Sequence, residues 1–144
     1  LYEGKEDQIK IGKGITLVEG KDVAIIACGV LVHEAMEAAK SLESEGISAT
    51  VVDMHTLKPL DTELLDKLST KCGAIVTAED HSIIGGLGGA VAEHIVTKHP
   101  VPMEKIGVHD RFGESAGSEE MLEMMGLKSH HISDAVKKVI ARKA

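Results

Sequence analysis

Tryptophan is absent from this chain of 144 residues, which holds one tyrosine, Tyr2, and one phenylalanine, Phe112. A core built almost without aromatics must be filled by Ile, Val, Leu, Ala and Met. That palette suits parallel strands covered by helices on both faces. The same scarcity removes the stacking platforms on which single-stranded RNA is read. Basic residues are outnumbered, 16 Lys and Arg against 23 Asp and Glu, and the formal net charge of -7 repels a phosphate backbone. Nucleic acid is therefore not an expected partner. No apolar run approaches the ~20 residues of a membrane-spanning helix, and no signal-peptide pattern opens the chain. Cysteine is limited to Cys28 and Cys72, which form no CxxC pair. Without an export signal they read as reduced thiols. The expectation is a cytoplasmic protein with no membrane contact.

What remains is an alternation of short apolar runs and amphipathic stretches. Residues 1–14 are polar, rich in Gly and Lys, and read as a linker or terminal arm; residues 15–144 read as a single domain. A domain of this size buries roughly 70% of its unfolded surface. Strands are expected at 15–18, 23–28, 49–53, 74–78 and 103–108. Between them, Leu31, Val32, Ala35, Ala38, Ala39 and Leu42 recur at helical spacing, with Glu34, Glu37, Lys40 and Glu43 on the opposite face and Gly46 as the stop. Asp61 is the expected N-cap of a helix with Leu64, Leu65 and Leu68 inward and Gly73 at its end. Further helices are expected at 88–98 and 119–125, and a last one capped by Ser129, with Ile132, Val136 and Val139 inward. Strands alternating with helices in this way predict an open, mostly parallel sheet with helices on both faces.

In such sheets ligands sit at the carboxyl ends of the strands. Those ends carry Gly29, Asp53–His55, Glu79–His81 and His109–Arg111, a concentration of Asp, Glu, His and Arg on one edge. The candidate residues for an interface or an anion site on this edge are His81, Gly85, Gly86, Gly88, Arg111 and Ser115. His81 offers an imidazole that can donate or accept a proton, and Arg111 offers a planar fork of donors. Asp110 and Glu114 lie in its own loop, so an internal ion pair is the competing reading. The glycines at 85, 86, 88 and 89 either cradle an anion at a helix N-terminus or let neighbouring groups approach closely. They match neither the dinucleotide fingerprint nor the P-loop. After the first buried strand, Gly29 is the only glycine of the three a dinucleotide site requires. Metal chemistry finds no motif: His33-Glu34 lacks a second His, His94 and His99 are five apart, and the adjacent His130 and His131 are expected to point apart. Gly113-Glu114-Ser115-Ala116-Gly117 lacks the strand–Ser–helix setting of a nucleophile elbow. No catalytic, cofactor-binding or metal-ligating residue is assigned.

Three motifs, in order, carry a resemblance. Asp53-Met54-His55-Thr56-Leu57-Lys58-Pro59-Leu60-Asp61 resembles the strand–loop–helix signature shared by the C-terminal domains of transketolase, 1-deoxyxylulose-phosphate synthase and the β chains of 2-oxo-acid dehydrogenases. Glu79-Asp80-His81 with Gly85-Gly86-Leu87-Gly88 is similar to the same group. His109-Asp110-Arg111-Phe112-Gly113-Glu114-Ser115 is most similar to transketolases, especially the split kind encoded as two shorter chains. Ala116 and Ser118 depart from the Gly and Pro usual there. The resemblance runs from about Ile11 to Ile140. It implies a three-layer α/β/α domain with a five-stranded sheet, whose first short strand is an antiparallel edge strand. It also implies a parent enzyme that uses thiamine diphosphate and Mg²⁺ to move a two-carbon ketol unit between sugar phosphates. In that family the cofactor lies between the two preceding domains, and none of its binding residues maps onto this sequence. The implied role is accessory and dimer-forming, with the cofactor-binding domains or subunit of the same transketolase as partner, in a homodimer of the whole enzyme. The alternatives are the C-terminal domain of a 2-oxo-acid dehydrogenase β chain or deoxyxylulose-phosphate synthase, and a free-standing small-anion-binding module.

Overall fold

The computed structural model describes residues 2–3 and 6–143; Leu1, Gly4 and Lys5 of the expected arm, and Ala144, lie outside the described residues. Five strands, β1 (Ile15–Val18), β2 (Val23–Ala27), β3 (Ala49–Asp53), β4 (Ile75–Ser82) and β5 (Met103–Val108), form one sheet in the order β1-β3-β2-β4-β5. β1 runs antiparallel to β3, and the other neighbours are parallel. The helices are α1 (Leu31–Ser44), α2 (Thr62–Cys72), α3 (Leu87–Lys98), α4 (Ser118–Met124) and α5 (Ser129–Ile140). The expected α/β fold, three layers with one antiparallel edge strand, is the observed one.

The continuous apolar runs are explained by burial on both faces. Along β2, Val23, Ile25 and Ala27 pack on one side with Leu31, Ala35 and Leu42 of α1 and Ile132, Val136 and Val139 of α5. Ala24 and Ile26 pack on the other with Leu65 and Leu68 of α2 and Leu87, Val91 and Ile95 of α3. The core is aliphatic, while Phe112 is 97% exposed. Local signals set the helix ends: the Asp61 side chain accepts a hydrogen bond from the Leu64 N–H, and Gly73 closes α2 at φ +65°, a conformation that suits a residue without Cβ. The arm does not hang free over its described length. Gly12 N–H donates to Thr56 Oγ1 at 2.9 Å and Gly14 N–H to Asp61 Oδ2 at 3.0 Å, which holds it along the β3–α2 loop.

Three local expectations are corrected. β4 continues to Ser82, past the expected end at 78, because Glu79–Ser82 remain extended and Ser82 still pairs with Val108 of β5. Polar residues alone do not end a strand; the positive φ of Gly85, +75°, lies in the loop that does. Glu34 is not on the solvent face of α1 but 7% exposed. Ser129 is not a cap but the first residue of α5, preceded by Lys128 with no side-chain cap bond. The two corrections have one cause: Glu34 Oε2 accepts the Ser129 N–H at 2.7 Å and Oε1 accepts from Lys128 Nζ at 3.1 Å. A carboxylate from α1 thus caps α5 across the layer, at the helix end where negative charge is favoured.

Candidate functional site

The chain leaves β2 to one side for β3 and returns to the other for β4, so the order reverses between β2 and β4. In open α/β sheets that switch point opens the crevice where ligands bind. Here its walls are Cys28–Val30 after β2 and Glu79–His81 at the end of β4, and the two sides stay tied by the Cys28 N–H to Ala78 carbonyl bond at 3.1 Å. The crevice is acidic. Burial, and then the negative charges of Glu79, Asp53 and Asp80, push the Cys28 thiol up to about 11. A thiol held in that form is a poor nucleophile at neutral pH.

Glu79 is the centre of this edge and is 2% exposed. Its Oε2 accepts the Leu87 N–H at 2.7 Å and its Oε1 accepts the Gly88 N–H at 2.8 Å. The carboxylate therefore occupies the anion position that the N-terminus of α3 creates. The glycines make the approach possible. A Cβ on Gly86 would stand 1.9 Å from Glu79 Oε2, and one on Gly88 would stand 2.7 Å from Lys105 Cδ and 2.9 Å from Thr77 Oγ1. The glycine-rich lead-in does cradle an anion, and that anion belongs to the chain itself.

The remaining candidates separate into two groups. His81 is exposed, donates from Nδ1 to the Ser82 carbonyl at 2.8 Å and stands 3.8 Å from Glu79, so His81, Gly86 and Gly88 gather around Glu79. Gly85 supplies the turn before them. Arg111 and Ser115 stay in the exposed loop after β5, where the Arg111 guanidinium pairs with Glu114 three residues on. Asp53 accepts the Tyr2 hydroxyl, and its buried Oδ1 has no hydrogen-bond partner among the described residues. Burial first, then the bond and charge of Asp53, push the Tyr2 hydroxyl far above its usual range.

A diphosphate does not fit this crevice. Three carboxylates already act on it, and the helix end that would receive phosphate holds Glu79. Magnesium bound through diphosphate oxygens would lack those ligands here. The edge also presents apolar side chains: Val30, Leu57, Ile84 and Phe112 are exposed, and each follows a different strand of the parallel set. No periodicity marks such residues, because each stands alone in its loop.

His130 and His131 do not point apart. Their ring centroids lie 4.0 Å apart at an interplanar angle of 36°, and both Nε2 atoms face Glu123 Oε1, at 3.1 and 4.0 Å. Adjacent side chains diverge on a regular helix, but these sit in the first turn of α5, where the chain arrives from α4 and Glu123 draws both rings to one side.

The sequence matches the profile of the family described as "Transketolase, C-terminal domain" over residues 12–132. The 6-deoxy-6-sulfo-D-fructose transketolase subunit SqwH of Clostridium sp. (strain MSTE9) is 43% identical over 141 residues, which cover 98% of this chain and 44% of that protein. The 1-deoxy-D-xylulose-5-phosphate synthase of Trichormus variabilis is 41% identical over 137 residues, covering 94% of this chain and 22% of that protein. Among solved structures, one described as "Split gene transketolase, inactive beta4 tetramer" superposes with a TM-score of 0.94 at 48% identity, over 97% of this chain and 46% of that one. The chain spans less than half the length of each of these relatives.

Proposed function

The chain belongs to the transketolase C-terminal domain family, and on that premise we propose that it serves as the accessory, assembly-forming domain of a thiamine-diphosphate-dependent transketolase. The parent would move a two-carbon ketol unit between sugar phosphates in the cytoplasm, as a homodimer of the whole enzyme, with cofactor and Mg²⁺ held by its other domains or subunit. One observation carries this reading. The carboxyl edge, where a ligand would sit, commits Glu79, Asp53 and Arg111 to contacts within the chain, while Val30, Leu57, Ile84 and Phe112 are exposed beside the polar Asp80, His109 and Asp110. Apolar side chains at the centre of a patch with polar groups around them are the make-up of a protein interface. The partner that fits this edge is the cofactor-binding part of the same enzyme. Tyr2 donates its hydroxyl to Asp53, which holds the N-terminal arm against this edge, and the buried Asp53 Oδ1 has no hydrogen-bond partner among the described residues. The same occupancy of the α3 N-terminus by Glu79 disfavours a free-standing anion-binding module.

The test uses the complete enzyme. Ile84→Glu should lower the assembled fraction at least tenfold by analytical ultracentrifugation, with turnover per assembled enzyme unchanged. Arg111→Ala should likewise leave turnover per assembled enzyme unchanged, since its guanidinium shapes its own loop. Full assembly with lost turnover in either variant would place catalysis on this edge and defeat the proposal. The synthase relative favours a second reading, a parent of that kind with the same role for this domain. Full polypeptide length separates the two, because the matched region is 44% of the first relative and 22% of the second.

A further inference from the structure

The α4–α5 corner gathers three ligand-type side chains with no part in the carboxyl-edge reading. Glu123, in the last turn of α4, directs Oε1 at His130 Nε2, 3.1 Å away, and at His131 Nε2, 4.0 Å away. One potential ligand atom from each of the three residues lies within 4.8 Å of the others. Tetrahedral zinc, with bonds of about 2.0–2.2 Å, sets its ligand atoms roughly 3.3–3.5 Å apart. One pair, at 3.1 Å, is already close to that spacing, and closing the others needs about 1 Å of side-chain movement from groups that are 54%, 58% and 31% exposed. The backbone beneath is fixed. Leu127 N–H donates to the Leu122 carbonyl at 2.8 Å and Gly126 N–H to the Glu123 carbonyl at 3.1 Å, while Leu127 and Ile132 anchor both sides of the turn at 1% and 0% exposure. The His131 Nδ1 is buried without a hydrogen-bond partner among the described residues, while its Nε2 faces Glu123. Lys128 stands close by in sequence, but its ammonium is taken by Glu34 and Glu119, which leaves the Glu123 carboxylate to the two imidazoles.

We propose that Glu123, His130 and His131 form a binding site for a divalent transition metal of the zinc class, which clamps the end of α4 to the start of α5. Two imidazole nitrogens and one carboxylate suit zinc and copper. Magnesium and calcium prefer all-oxygen shells and are not expected to compete. Three protein ligands leave a fourth position for water or for a ligand from another molecule. The site stands on this chain's own residues and does not depend on the transketolase assignment.

The probe is Zn²⁺ alone, titrated against the chain in competition with a chromophoric chelator. One equivalent should bind with a micromolar dissociation constant, and a thousandfold excess of Mg²⁺ should not displace it. His130→Ala and Glu123→Gln, both at exposed positions, should each weaken binding tenfold or more, whereas His99→Ala should leave it unchanged. Zinc should also raise the melting temperature of the unsubstituted chain and not that of His130→Ala. Absence of saturable uptake, or uptake unaffected by His130→Ala and Glu123→Gln, would overturn the assignment.

Discussion

Replacing Glu79 by Ala should unfold the domain more readily than any other change at its carboxyl edge. The substitution strips the acceptor from two buried N–H groups, those of Leu87 and Gly88, at the start of α3. A hydrogen bond to a charged partner contributes about 1.5–3 kcal/mol. Water entering the vacated space would recover part of that, so a loss of about 3–5 kcal/mol is expected. With a urea m-value of about 2 kcal/mol/M, the unfolding midpoint should fall by roughly 2 M. Glu79→Gln keeps one acceptor oxygen but turns an NH₂ group towards the other donor, and should fall about halfway between. A double-mutant cycle adds specificity. Gly86→Ala puts a Cβ where Glu79 Oε2 stands, so it should be costly in the natural background and much cheaper beside Glu79→Ala, with a coupling above ~1 kcal/mol. A loss below ~1 kcal/mol for Glu79→Ala, or additive effects in the cycle, would refute the capping argument.

Leu65 is fully buried between α2 and the sheet, so Leu65→Ala should cost about 2–5 kcal/mol in urea unfolding; a loss below ~1 kcal/mol would mean that α2 does not cover the sheet as described. Glu34→Ala should cost about 1–3 kcal/mol by leaving the Ser129 N–H without its partner, with faster amide exchange in the first turn of α5 as the local readout. Cys28 should alkylate slowly near pH 7 in the folded chain, its rate rising with a midpoint about 11. Because its folded value lies above the ordinary thiol value of 9.0, its contribution to stability is complete below pH 9 and is lost as pH rises from 9 to about 11. A midpoint at or below 9 would contradict the acidic setting of the crevice.

Much of the fold is legible in the residues, because both of its determinants are local. The run Val23–Ala27 is continuous since both faces of β2 are covered, and α2 is bracketed by the Asp61 cap and the left-handed Gly73. What escapes local reading is every feature made by a distant partner. Glu34 looks solvent-facing on a helical wheel, and only the arrival of α5, some 95 residues later, buries it. Glu79 resembles a loop residue until α3 docks on it, although a strand-end acid followed by a glycine-rich helix start is a signal that could have been used. His130 and His131 look divergent as neighbours in sequence and converge only because α4 brings Glu123 between them. The exposed Val30, Leu57, Ile84 and Phe112 form a set only once the strand order places their loops on one edge.

The central claim, that this domain supports a thiamine-dependent enzyme without holding its cofactor, is tested most directly by calorimetry on the chain itself. Thiamine diphosphate titrated in the presence of Mg²⁺ should give no saturable binding heat, because Glu79 fills the α3 N-terminus and Asp53 and Asp80 keep the crevice acidic. A micromolar dissociation constant, about -8 kcal/mol, abolished in a variant of the crevice such as Gly88→Ala, would contradict the account.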